Sequence, residues 1–130
     1  MIVDASAVLA VLLNEPDAPA FAGALAAAEA PCMSVVNHLE AAIRVDRLGQ
    51  PAAVQALEAL LASAGVEIVP ATVAHGRMAR MAFATYGKGR HPAALNFGDC
   101  FAYALAKETG RPLLFKGKDF AQTDLVPALL

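Results

Sequence analysis

Tryptophan is absent from this chain, and aromatic residues make up only 6% of it. Two Tyr and six Phe, scattered along the sequence, give no run of stacking side chains. That disfavours single-strand binding by base stacking alone. Cysteine is scarce too: Cys32 and Cys100 are isolated and show no Cys-x-x-Cys spacing. The pattern offers no disulfide framework and fits a reduced cytosolic protein whose thiols fill the core. His38, His75 and His91 lack ligand spacing, which argues against a zinc site. No stretch of about 20 strongly apolar residues suggests a membrane span. The longest apolar run, 18–28, is mostly alanine and begins beside Asp17 and Pro19. No basic leader precedes the opening apolar strand, so a signal peptide is not expected and the expected location is cytoplasmic. Repeats, linkers and low-complexity tracts other than alanine richness are missing as well.

What is present is apolar: 58% of 130 residues, against 17% charged. That is enough for one domain, 1–130, with a sizeable core. The formal net charge of −2 is unevenly spread. Residues 1–76 hold eight acids and only Arg44 and Arg47, while residues 77–130 hold eight bases and four acids. A basic half on an acidic protein suits a polyanion, although solvated helix faces give the same pattern.

Hydrophobic periodicity and breakers divide the chain into alternating elements. Residues 1–4 read as a buried strand, followed by helices over 6–13 and 16–28, with Pro16 suited to a first helical position. Residues 31–33 read as a short strand, and Ser34 caps a helix running to Leu48. Helices are expected over 52–64, 72–86 and 97–109, the last closed by Gly110. Val66–Val69 and Leu113–Phe115 read as strands. Strands alternating with helices predict an α/β fold, a central parallel sheet of four to five strands sandwiched by helices. Such sheets gather functional groups at the carboxyl ends of their strands.

Four acids sit where carboxylates need a reason. Asp4 closes the first strand, Glu40 lies beside Val36, Leu39 and Ile43, Asp99 opens an apolar helix, and Asp119 follows the last strand. Each has an ordinary reading. Asp4 could be an N-cap, Glu40 could pair with Arg44 four residues on, Asp99 could complete a capping box with Asn96, and Asp119 could be a solvated loop acid. Together they say more, because the fold brings Asp4, Asp99 and Asp119 to one sheet edge. Clustered carboxylates repel unless a cation is shared, and an oxygen-only set suits Mg²⁺ or Mn²⁺. Two other phosphate chemistries fit poorly. Asp4-Ala5-Ser6 lacks the second aspartate of haloacid-dehalogenase-like phosphatases, and Val69-Pro70-Ala71-Thr72 lacks the acceptor aspartate of receiver domains. The alternative of another class is a non-catalytic interaction module whose acids only cap helices.

Four stretches carry a resemblance: Met1-Ile2-Val3-Asp4-Ala5-Ser6-Ala7; Ser34-Val35-Val36-Asn37-His38-Leu39-Glu40-Ala41-Ala42; the run from His91 to Ala106 around Asn96-Phe97-Gly98-Asp99; and Leu113-Leu114-Phe115-Lys116-Gly117-Lys118-Asp119-Phe120. In this order, over the whole chain, the sequence resembles PIN domains, and specifically VapC-type ribonuclease toxins of bacterial type II toxin–antitoxin systems. The resemblance implies a PIN-like parallel sheet and metal-dependent endoribonuclease activity on RNA phosphodiesters. It also implies a small cognate antitoxin and a homodimer. It assigns Asp4, Glu40 and Asp99 as ligands of Mg²⁺ or Mn²⁺, Ser6 as a hydroxyl helper and Asn96 as a polar neighbour of the third acid. Many members carry a fourth acid where this chain has Gly117, and Asp119 is the nearest substitute. Lys88, Arg90 and His91 form a loop that reads either as a grip on an RNA backbone or as a Gly-rich surface turn. Val8–Leu13 and Phe21–Leu25 form an apolar helix pair that reads either as an antitoxin groove or as ordinary core.

Overall fold

A computed structural model of the chain describes residues 1–129. Four short strands, β1 (Ile2–Val3), β2 (Cys32–Ser34), β3 (Glu67–Val69) and β4 (Leu113–Leu114), form one sheet in the order β3-β2-β1-β4. Every pairing is parallel, with Ile2 opposite both Cys32 and Leu113, and Met33 opposite Ile68. Six helices flank this sheet: α1 (Ala5–Leu12), α2 (Ala18–Ala27), α3 (Val35–Asp46), α4 (Pro51–Ala64), α5 (Val73–Tyr86) and α6 (Phe97–Thr109). The strand count is the lower of the two expected.

Alternation along β1 and β4 explains the layers. Ile2 and Leu113 pack into a cluster with Ala79 of α5, Tyr103 and Leu105 of α6, and Leu95 from the segment between those helices. Val3 and Leu114 face the opposite way, onto Val8, Phe21, Leu25, Val45 and Leu57 from α1 to α4. Strands covered on both faces need apolar side chains on both, which is why Ile2-Val3 and Leu113-Leu114 read as unbroken apolar pairs.

Most helix ends follow their capping chemistry. Ser34 accepts from Val36 N, and Gly65 and Gly110 take left-handed conformations at φ +67° and +66°, where a side chain would be strained. Two boundaries differ from expectation by two residues, the others by one at most. α2 starts at Ala18, not Pro16, so Pro19 rather than Pro16 occupies its first turn. α3 stops at Asp46, two residues before Leu48. Val8, Phe21 and Leu25 are buried core. These three side chains take the core reading of the early helix pair, while Leu9, Val11, Leu12 and Leu13 are half-buried.

The chain leaves β1 toward β2 on one side and returns to pair with β1 through β4 on the other. The crevice beyond the carboxyl ends of β1 and β4 is thus the point where strand order reverses, the place where open parallel sheets bind ligands. Asp4 follows β1 directly, and Lys116 follows β4 with Phe115 between.

Candidate active site: an acidic cleft at the carboxyl ends of the strands

A cleft of about 430 Å³ opens at this point, lined by Asp4, Ser6, Glu40, Asn96, Asp99, Arg44 and Lys116 among others. The sheet delivers Asp4, α1 delivers Ser6, α3 delivers Glu40 and Arg44, and the start of α6 delivers Asn96 and Asp99. Five of the six candidate residues read from the sequence therefore line one cavity. The sixth, Asp119, is exposed just before a 3₁₀ turn (Phe120–Gln122) and makes no capping hydrogen bond there.

Asp4 is only 4% exposed. One of its oxygens, Oδ2, accepts from the Ser6 backbone N–H at 3.1 Å and from the Ser6 hydroxyl at 2.6 Å. Its other oxygen, Oδ1, is buried without a hydrogen-bond partner. The N-cap reading is therefore right for half of the carboxylate and leaves the other half unexplained. Ser6 Oγ also accepts from Lys116 N–H at 2.9 Å, so it joins the end of β1 to the segment after β4. Lys116 is itself held from the far side, by Glu15 and by Asp17 at 2.9 Å.

Asp99 and Asn96 form a reciprocal capping box. Asn96 Oδ1 accepts from Asp99 N–H at 2.9 Å and Asp99 Oδ2 accepts from Asn96 N–H at 3.0 Å. Glu40 does not make the expected pair with Arg44. Its Oε1 accepts from Asn37 Nδ2 at 2.8 Å, and among the described residues Arg44 has no ion-pair partner, leaving a free guanidinium on the rim. Asn37 is fully buried, and the same Nδ2 donates to the Gly98 carbonyl at 3.0 Å. Sequence reasoning passed over Asn37. Its only local signal is an amide three residues before Glu40, between Val36 and His38.

The electrostatics tie the acids together. Burial pushes Asp99 up to about 7, with the hydrogen bond from Asn96 opposing and the negative charges of Asp4, Glu40 and Asp119 adding to the rise. Asp4 is raised chiefly by burial, against its bonds to Ser6, with Asp119 adding a little. Glu40 is raised by burial, against the Asn37 hydrogen bond, with Asp4 adding. Asp99 thus lies within electrostatic reach of the other three acids, Asp119 acting from outside the cleft. Among the described residues no three His, Cys, Asp or Glu side chains close on a single point as a preformed metal cage. The arrangement is an open set of hard oxygen donors, one of them a buried oxygen lacking any partner, and that donor set fits a hard divalent cation.

The loop with Lys88 and Arg90 lies outside the lining of the cleft. Instead Arg90 lies over the Phe83 ring at 5.9 Å, and His91 Nδ1 accepts from Ala93 N–H. The rim cations of the cleft are Arg44 and Lys116. Phe97 is 74% exposed beside the cleft residue Asn96.

A four-stranded parallel sheet flanked by helices, with carboxylates gathered at its switch point, defines a class, and comparison with known proteins gives the same one. The PIN-domain family model matches residues 1–126, so the chain belongs to the PIN-domain family. Within it, the chain groups with the VapC ribonucleases. It is 45% identical to ribonuclease VapC30 of Mycobacterium tuberculosis over 131 residues, covering 100% of this chain and 99% of that protein. It is 46% identical to ribonuclease VapC of Mycolicibacterium smegmatis over 126 residues, covering 96% and 97% respectively. Among solved structures, the fold is similar to M. tuberculosis VapC20, described as a sarcin–ricin-loop cleaving toxin. That match has a TM-score of 0.79 at 16% identity, covering 99% of this chain and 98% of the other. A toxin–antitoxin complex from Klebsiella pneumoniae matches with a TM-score of 0.69, also at 16% identity. No helix is long and apolar enough to cross a membrane among the described residues.

Proposed function

We propose that this single domain, 1–130, is a Mg²⁺- or Mn²⁺-dependent endoribonuclease and the toxin component of a type II toxin–antitoxin pair. The observation that carries the metal is Asp4: a carboxylate 4% exposed, beside other acids, with one buried oxygen lacking a partner. An unpaired buried charge is costly, and a cation bound there would offset it. The interaction-module reading accounts for the capping bonds of Asp4 and Asp99 but not for that oxygen, nor for Glu40, which caps nothing. The VapC relatives carry the choice of RNA as substrate.

In this reading Asp4, Glu40 and Asp99 hold the ion, and Asp119 contributes through water from outside the cleft. The ion, when bound, supplies Lewis acidity at the phosphoryl oxygens and an acidified water for attack. The chain's own groups do the rest. Ser6 spends its hydroxyl proton on Asp4, so it fixes that carboxylate rather than reaching the substrate. Asn96 holds Asp99 at the start of α6. Arg44, free of ion pairs among the described residues, is placed to take a phosphate, whereas the Lys116 ammonium is committed to Glu15 and Asp17. A small protein antitoxin and a second copy of the chain are the proposed partners. Val35, Leu39 and Ile43 form an exposed apolar stripe along α3 suited to protein contact.

The test is cleavage of total cellular RNA by the purified protein. Cleavage with Mg²⁺ or Mn²⁺, none with chelator and none for Asp4→Asn or Asp99→Asn is the expected set. Full activity in chelator would remove the metal from the reaction.

A further inference from the structure

The Glu40 carboxylate is seated between two elements distant in sequence. Asn37 Nδ2 reaches it from one turn earlier on α3 and, with the same nitrogen, holds the Gly98 carbonyl at the start of α6. The amide sits with Nδ2 toward them, because Oδ1 in its place would face a carboxylate and a carbonyl, and Oδ1 itself is buried without a hydrogen-bond partner. Gly98 completes the seat by what it lacks: a Cβ built there would overlap the Glu40 carboxylate itself, both oxygens included. Asn37 is fully buried and Gly98 is buried. The seat is therefore enclosed and fixes the carboxylate more firmly than a solvated glutamate on a helix surface would be.

We infer that Asn37 and Gly98 are positioning residues that fix Glu40 at the mouth of the acidic cleft, so that α3 and α6 present their carboxylates in fixed relation. The inference rests on the divalent-ion reading above. Partners that orient a ligating carboxylate change metal affinity about 10- to 100-fold when removed. Gly98 also explains an otherwise unfavourable choice, because alanine at an early helical position is the better helix former by about 1 kcal/mol.

The test is Mn²⁺ binding by titration calorimetry, with melting of the metal-free protein alongside. Gly98→Ala is expected to weaken Mn²⁺ binding about tenfold while leaving the metal-free melting temperature unchanged or higher, because only the flexible end of Glu40 must move. Asn37→Ala is expected to weaken binding about tenfold in the wild-type background and less than twofold in a Glu40→Ala background, since residues acting through a shared partner are not additive. Asn37→Gln, a longer amide, is expected to bind weakly as well. Equal factors in both backgrounds, or undiminished binding in Gly98→Ala, would overturn the positioning role while the wild type still bound Mn²⁺ and cleaved RNA. A wild type that binds no Mn²⁺ would overturn the divalent-ion reading and this inference with it.

Discussion

Replacing Asp99 by asparagine should make the metal-free protein more stable and the enzyme inactive. The carboxyl stands at about 7 instead of the ordinary 3.8 because it is buried among other acids. At pH 8 it is charged in both folded and unfolded chains, and the folded state bears the whole penalty. Each pKa unit corresponds to about 1.4 kcal/mol, which bounds that penalty at about 4 kcal/mol. Asp99 is only half-buried, and solvent screening brings the realistic figure to about 1–2 kcal/mol. Asparagine keeps an oxygen for the Asn96 N–H but gives up about 0.3–1 kcal/mol of attraction between a carboxylate and the helix N-terminus. The net gain is about 1 kcal/mol, a rise of roughly 3–5 °C in melting temperature for a chain of this size. The sign with pH follows. The folded pKa lies above the unfolded one, so the penalty is absent below about pH 4 and complete above about pH 7. The stabilisation by asparagine should therefore shrink steadily from pH 8 to pH 4. Differential scanning calorimetry in chelator measures both. An Asp99→Asn variant that melts below wild type at pH 8 would refute the view that these acids are held together against their own repulsion.

Other outcomes follow from the same geometry. The rise in melting temperature caused by saturating Mn²⁺ should grow between pH 5 and pH 8, because carboxylates must lose their protons to bind; thermal melts across that range check it. Ser6→Ala removes the hydroxyl that joins Asp4 to the Lys116 backbone, and should lower RNA cleavage about tenfold without abolishing it, as gel assays of initial rate would read. Arg44→Ala should raise KM for RNA several-fold, leave kcat near wild type and reduce the salt dependence of binding by about one ion, which filter binding over a salt series measures.

Much of this protein is legible in its sequence, and the parts that are not share a cause. Ile2-Val3 and Leu113-Leu114 read as buried parallel strands because both faces are covered. Gly110 closes its helix because only glycine is comfortable at its backbone angles. Asp4 and Asp99 stand out because acids at the ends of apolar elements are conspicuous, and Glu40 because it lies inside a helix between Leu39 and Ala41. Asn37 does not stand out, since its second partner, Gly98, lies 61 residues away. The same holds for Lys116, tied to Glu15 and Asp17 from about 100 residues off. Local spacing also misled. Glu40 and Arg44 have the separation of a helix ion pair, yet the buried amide of Asn37 competes for the same carboxylate. Phe97 was hidden for the opposite reason: exposure of a single aromatic is decided by what packs over it, which no periodicity records.

The most direct measurement is anomalous diffraction from a crystal of this protein soaked in Mn²⁺. A peak within coordination distance of Asp4 and Asp99, with Glu40 ligating directly or through water, is what the shared-ion account predicts. A Mn²⁺ peak elsewhere, with the Asp4 side chain untouched, would contradict it.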